Sequence, residues 1–249
     1  MRIAEQMNTI LQSALRNPKS AMTSAVLFDA AGTLFRVRGS VGEAYAMVAA
    51  HHGVRVDPAG IEQRFRAAFR DMPPLAFPDA PEPELPQREY AWWKHLAGTV
   101  FAACRFADFD VFFRDLFEYF AGAEAWELFP DVCPSLTALK GRGLRLAVVS
   151  NFDGRLVRVC EGLSIADLFD TLVMSGRAGY VKPDPRIFAI ALERLGVTAT
   201  DAVHVGDSQS EDIEAARAAG LRALLLRRDV STDLAPGEIH DLRELVDRV

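Results

Sequence analysis

Five side chains with chemical reach border short apolar runs in this chain. Asp29 ends Ala25-Val-Leu-Phe-Asp29 and leads at once into a glycine turn, and Ser150 closes Leu144-Arg-Leu-Ala-Val-Val-Ser150. Lys182 precedes Pro183, and Asp207 and Asp212 lie in Gly206-Asp-Ser-Gln-Ser-Glu-Asp212. Phosphoryl transfer asks for such a set: a nucleophile, a cation against the phosphate oxygens and donors around the group in transit, because catalysis there is mainly positioning and electrostatics. Asp29 can form an aspartyl-phosphate. Mg2+ takes one or two carboxylates plus water and substrate oxygens, which Asp29 and Asp207 offer if they come within about 8 Å of each other, with Asp212 orienting that shell. The Ser150 hydroxyl can donate to a phosphate oxygen, and Lys182 offsets the repulsion between Asp29 and a dianion. Gly32 permits a tight turn and Thr33 adds a donor.

These groups meet only if the apolar runs are neighbouring strands. Strand patterns recur at 24–29, 144–150, 171–174, 202–206 and 222–227, with helical patterns between the later four. That alternation predicts an α/β fold with a Rossmann-like parallel sheet and helical crossovers, whose strand ends are where ligands bind. The interval between the first two strands exceeds 100 residues and is helical in pattern. It predicts an inserted α-helical cap over 39–126, against a core of 21–38 and 127–249. In the insert, Ser40-Val-Gly-Glu43 has capping-box spacing and opens a helix that should stop near Gly53, and Asp57-Pro58 opens the next. Six prolines from Pro73 to Pro86 predict a long surface loop. Beyond it, Tyr90, Trp92, Trp93, Phe101, Phe109, Phe112, Phe113, Phe117, Tyr119 and Phe120 read mainly as the insert's core, with one or two at a substrate entrance.

Composition narrows the partners. Of 249 residues, half are hydrophobic and a quarter charged, with a net charge of −6. No global field attracts nucleic acid or an anionic membrane, and no apolar run reaches the roughly 18 residues of a membrane span. Cys104, Cys133 and Cys160 lack metal-type spacing and read as reduced thiols in a cytoplasmic monomer or homodimer. Residues 1–20 form an amphipathic extension. His204 in its apolar strand reads as a satisfied core histidine, Cys160 as core, and His51, His52 and His95 as insert residues without a visible partner set.

The runs Phe28-Asp-Ala-Ala-Gly-Thr-Leu34, Val149-Ser-Asn151, Lys182-Pro-Asp-Pro185 and Val205-Gly-Asp-Ser-Gln-Ser-Glu-Asp212 resemble, in order, the four motifs of the haloacid dehalogenase superfamily in its form with a helical cap after the first motif. The resemblance covers nearly all of 24–228. Val41-Gly-Glu-Ala-Tyr45 and Leu146-Ala-Val-Val-Ser-Asn-Phe-Asp153 bring it nearest to one branch of that superfamily. It implies Mg2+-dependent hydrolysis of a small phosphorylated metabolite, with Asp29, Ser150 and Lys182 catalytic. Gly32, Thr33, Ser150, Asn151 and Lys182 would bind the substrate, and Asp29, Asp207, Asp212 and the backbone carbonyl of Ala31 the metal.

One departure stands out. Phosphatases of the superfamily place a second aspartate two residues after the nucleophile, as leaving-group acid and then water-activating base, where this chain has Ala31. Losing such help is typically worth roughly 10²- to 10⁴-fold in rate. Asp153 is one place to look for a substitute, against its competing role as a helix N-cap. Two other readings stand beside the phosphatase: a catalytically weak ligand- or protein-binding member, and a 2-haloacid dehalogenase, for which Arg36 and Arg38 offer carboxylate binding.

Overall fold

In the computed structural model, which describes residues 23–228 and 234–249, the run before Asp29 becomes β1 (Ala25–Phe28), wholly buried. The predicted extension at 1–20 lies outside the described residues. After β2 (Phe35–Val37) come the helices α1 (Val41–His51), α2 (Pro58–Asp71), α3 (Leu85–Val100) and α4 (Phe109–Tyr119). Then follow β3 (Trp126–Leu128), α5 (Val132–Gly141), β4 (Arg145–Ser150), α6 (Arg155–Gly162), β5 (Thr171–Met174), α7 (Ser175–Ala178) and α8 (Arg186–Leu195). The chain ends through β6 (Ala202–Gly206), α9 (Ala215–Ala218), β7 (Arg222–Leu226), β8 (Glu238–Ile239) and α10 (Leu242–Val246).

The main sheet is six-stranded and parallel, in the order β5-β4-β1-β6-β7-β8. Both faces of β1 are covered, which explains its unbroken apolar run. Val26 and Phe28 join the cluster with Leu136, Leu146 and Leu156, while Ala25 and Leu27 point into the opposite one with Ile187, Phe188 and Leu195. Burying each such large side chain contributes roughly 1.5–3 kcal/mol. The chain runs outward from β1 through β4 and β5, then returns to the other side of β1 for β6. The crevice at the carboxyl end of β1 is therefore the switch point where open α/β sheets take ligands.

The helical insert leaves and rejoins the core through the antiparallel pair β2–β3, which the strand patterns did not reveal. Its own core includes Tyr45, Ile61, Leu96, Phe112 and Phe113. The capping box at Ser40 and Glu43 is made in both directions, and Asp57 accepts from the Gly60 N–H ahead of Pro58. Each cap satisfies amides that a helix start leaves unpaired. The proline stretch is irregular apart from the short turn Glu82–Glu84, but it ends earlier than the prolines do. Pro86 lies in the first turn of α3, where a missing N–H costs nothing.

Candidate active site

The order β4-β1-β6 sets Ser150, Asp29 and Asp207 at three adjacent strand ends. The Asp29 amide donates to the Val205 carbonyl at 2.9 Å, extending the β1–β6 ladder by one step before the chain turns away. At the turn, Gly32 has φ +96, and a Cβ there would lie 2.4 Å from an Asp207 carboxylate oxygen. Glycine is thus demanded twice, by the backbone and by the neighbouring acid. Gly206 is constrained by a neighbouring acid alone, because its added Cβ would meet the Asp212 carboxyl carbon at 2.1 Å.

Asp212 lies in the π-helical turn Gln209–Glu214 and folds back under the sheet edge. Its carboxylate accepts from Lys182 Nζ at 2.5 Å, His204 Nε2 at 3.0 Å and the Ser208 amide at 3.0 Å. Lys182 Nζ also donates to Asp29 Oδ1 at 2.6 Å, so a single buried ammonium bridges the two acids. Burial would lower the Lys182 pKa, but Asp29 and Asp212 outweigh it and hold the amine charged. Burial would raise Asp212, yet the hydrogen bonds and charges of His204 and Lys182 leave it well below the usual carboxylate range. Asp29 goes up, since burial and the Asp212 charge exceed what Lys182 returns. Asp207 is pushed up to about 6 by burial and by its neighbours Asp29 and Asp212.

Asp29, Asp207 and Asp212 each offer an oxygen within 4.8 Å of the others. That convergence is what one shared cation requires. Among the described residues no ion pair reaches Asp207, so three carboxylates face one ammonium and the donor set is all oxygen. A hard divalent cation such as Mg2+ fits that chemistry.

These residues floor a cavity of about 540 Å³ with Ser150, Asn151 and Lys182 on its core side and Phe69, Leu75 and Trp92 on the insert side. The Ser150 hydroxyl has no side-chain partner among the described residues and lines the space. Asn151 is engaged instead: its Oδ1 accepts from the Lys182 amide at 2.7 Å, and its Nδ2 donates to the Lys182 carbonyl at 3.0 Å and to Glu211 at 3.1 Å. It clamps the lysine loop. Thr33 is fully buried outside the cavity wall, with its hydroxyl unpartnered among the described residues, and Gly32 likewise serves the turn. Neither lines the cavity in which a substrate role was expected of them. Ala31 does face the cavity.

Asp153 is not a spare acid. It is fully buried outside both cavity walls, chelated by Arg155 at 2.9 and 2.7 Å, and accepts from Trp93 Nε1 at 2.6 Å. It also accepts from the Arg155 amide in the first turn of α6, but the N-cap position expected of it is taken by Gly154. Arg36 pairs with Glu127 across β2–β3, and Arg38 donates to the Glu124 and Trp126 carbonyls. Neither lines the cavity. His204 is only half satisfied, its Nδ1 being buried without a partner. His52 does have a partner, Asp115 at 3.1 Å, and Cys160 is buried with its thiol pushed up to about 12 by that burial.

Sequence reasoning passed over Glu211, which sits within the fourth motif and braces Asn151; its place one residue before Asp212 was the available signal. It also passed over Glu89, whose Oε1 accepts from the Gly154 amide at 3.0 Å and whose pKa burial and the Asp153 charge raise to about 7. More aromatics face cavities than the expected one or two: Trp92 lines the acidic one, and Trp93, Phe113, Phe117 and Phe120 line a second space beside it.

A parallel sheet switching at a carboxylate-bearing strand, with acids from β1 and the loop after β6 around one lysine, defines a hydrolase of the haloacid dehalogenase type. The family model for haloacid dehalogenase-like hydrolases matches residues 23–220, and the chain belongs to that family. It is 38% identical to the zebrafish haloacid dehalogenase-like hydrolase domain-containing protein 3, over 82% of this chain and 84% of that one; that is the branch indicated by Val41–Tyr45 and Leu146–Asp153. It is 36% identical to a phosphoserine phosphatase of Thermus thermophilus over 53% of this chain and 55% of the other. In fold it matches a magnesium-bound HAD-hydrolase of Bacillus subtilis with a TM-score of 0.67 at 18% identity, covering 91% of this chain and 98% of that one. No helix among the described residues is long and apolar enough to cross a membrane.

Proposed function

We propose that the protein hydrolyses a small phosphorylated metabolite through an aspartyl-phosphate on Asp29, with the helical insert acting as a cap over the site. The observation that carries this reading is the buried bridge Asp29–Lys182–Asp212 beside the unpaired Asp207. Asp29 attacks phosphorus, the leaving oxygen departs, and water then cleaves the acyl phosphate to restore the carboxylate. Lys182 supplies the positive charge that lets a dianion approach Asp29, and the free Ser150 hydroxyl donates to a phosphate oxygen. Asn151 positions Lys182 by gripping its backbone, and Glu211 braces Asn151. Mg2+, held by Asp29, Asp207 and the Ala31 carbonyl with Asp212 behind them, would supply charge neutralisation at the phosphate oxygens and keep Asp29 ionised against the burial that raises it.

The dehalogenase reading finds less support. Among the described residues the one arginine lining either cavity is Arg155, and its fork is spent on Asp153. A panel of phosphate esters with Mg2+ tests the proposal. Phosphate release that falls at least about 10³-fold in Asp29→Asn, as expected for loss of a covalent nucleophile, supports it. Absence of release across the panel would leave the ligand-binding alternative, and halide release from 2-haloacids without metal would favour the dehalogenase.

A further inference from the structure

Beside the acidic cavity lies a second one of about 210 Å³, lined by residues of both insert and core. The two share Ala31, Phe69 and Asn151 in their walls. The second is aromatic: Phe65, Trp93, Phe117, Phe120, Trp126 and Phe152 are among its lining residues. Its polar groups are largely committed to the protein. Asn151 holds the Lys182 loop, and the Arg155 guanidinium is chelated by Asp153 while stacked 4.1 Å from the Phe117 ring centroid and 4.7 Å from that of Trp93. Tyr45 is packed against Phe65, Phe101 and Phe120. An apolar protein cavity of about 150 Å³ takes up benzene, so this chamber has room for one aromatic ring with small substituents.

The wall between the two spaces carries no carboxylic acid. Ala31 stands there, Asp153 is sealed in its ion pair, and Glu211, which lines the acidic side, is held as acceptor of the Asn151 amide. A leaving group that passes this wall therefore departs without a proton from the wall itself. An alkoxide does so badly. A phenolate does so readily, because a phenol has a pKa of about 10 against about 15.7 for water. Chamber and wall thus select the same chemistry from two independent directions, one by shape and one by acidity.

We propose that the substrate class is an aryl phosphate monoester, its ring in the aromatic chamber and its phosphate over Asp29. The inference rests on the aspartyl-phosphate reading above and narrows it. In the first step an Asp29 oxygen bonds to phosphorus as the bond from phosphorus to the aryl oxygen breaks, and the electron pair leaves as phenolate, which takes its proton from solvent. In the second, water bonds to phosphorus and the bond to Asp29 breaks, giving inorganic phosphate, a proton and the free carboxylate. The missing acid at position 31 costs the first step little for such a leaving group. The second step still lacks its base, so it is the slow one.

Pre-steady-state kinetics with phenyl phosphate and Mg2+ test this. The expected result is a burst of about one phenol per active site followed by slow turnover, with kcat/KM at least about 100-fold above that for benzyl phosphate, which fills the chamber but leaves as an alkoxide. Phenylphosphonate should inhibit the wild-type protein at least tenfold more tightly than methylphosphonate, and Val41→Phe, which adds bulk to the chamber wall, should raise KM for phenyl phosphate at least tenfold. If benzyl phosphate or glycerol 3-phosphate is hydrolysed as efficiently as phenyl phosphate in an Asp29-dependent manner, the aryl assignment falls and the phosphatase reading stands. Equal inhibition by the two phosphonates likewise overturns the chamber's role. If none of these esters is hydrolysed, both fall.

Discussion

In the acidic cavity, Asp29, Lys182 and Asp212 are locked by ion pairs of 2.5–2.6 Å at the ends of core strands, with glycines cut away wherever a Cβ would intrude. In the aromatic chamber next to it, the walls come from α1 to α4 and from the segments flanking β3 and β4, and no charge faces inward unpaired among the described residues. One region is specified by directional electrostatics, where a misplacement of a few tenths of an ångström matters. The other is specified by volume and surface type, which many side-chain combinations could satisfy. The titratable groups are therefore rigidly placed at the sheet edge, and under the proposed function choice among substrates would be left to packing in the insert.

Removing the bridge should break the acidic side hardest. Lys182→Met strands two buried carboxylates, and we expect a loss of about 3–5 kcal/mol in stability, read as a lowered thermal midpoint without added metal, together with loss of phosphate-ester hydrolysis. An unchanged midpoint would show that the lysine is not what holds the acids together. Giving the wall an acid should sharpen the contrast. Ala31→Asp supplies proton transfer to both steps and is expected to raise turnover of alkyl phosphates by about 10²–10⁴-fold, and to erase any phenol burst because the second step ceases to lag. An unchanged rate would mean that the missing carboxyl is not the deficit.

The contact of α3 with the core should respond to pH through Glu89, whose side chain reaches from α3 to accept from the Gly154 amide. Its folded-state pKa of about 7 stands above the ordinary 4.5. Below about pH 4.5 it is protonated in both states. Between 4.5 and 7 the unfolded chain releases a proton that the folded chain keeps, so stability falls as pH rises through that window and the loss is complete above 7. Glu89→Gln should accordingly match wild type near pH 4.5 and exceed it by up to about 3 kcal/mol at pH 8. Denaturant melts at the two pH values check this, and a constant difference between them would contradict it.

Asp29, Ser150, Lys182, Asp207 and Asp212 were legible in the chain because each sits at a fixed offset from an apolar run, and a strand end can point its next residue only into the crevice. Five of the six strands of the main sheet were legible for a related reason, since double-sided burial writes an uninterrupted apolar segment, whereas the two residues of β8 are too few to write one. β2 and β3 were not: three-residue strands carry too little periodicity, and they pair across almost 90 residues of insert. Asp153 misled as a possible acid because adjacency to Ser150 in sequence says nothing about direction, and its partners Trp93 and Arg155 come from different layers. For Asn151, the motif that contains it does not show that both ends of its amide are taken by Lys182 and Glu211.

What the sequence alone determined is the kind of chemistry: which carboxylates, amine and hydroxyl occupy the sheet edge, and that position 31 carries no acid. Tertiary structure decided which of those groups stay free for a ligand and what borders them, placing an aromatic space behind Ala31 and sealing Asp153 away from it. The division follows from range. Strand ends are set by local periodicity and hydrogen-bond ladders that a few residues encode, whereas a cavity is the unfilled remainder of side chains drawn from distant helices, and only their packing together gives it a shape.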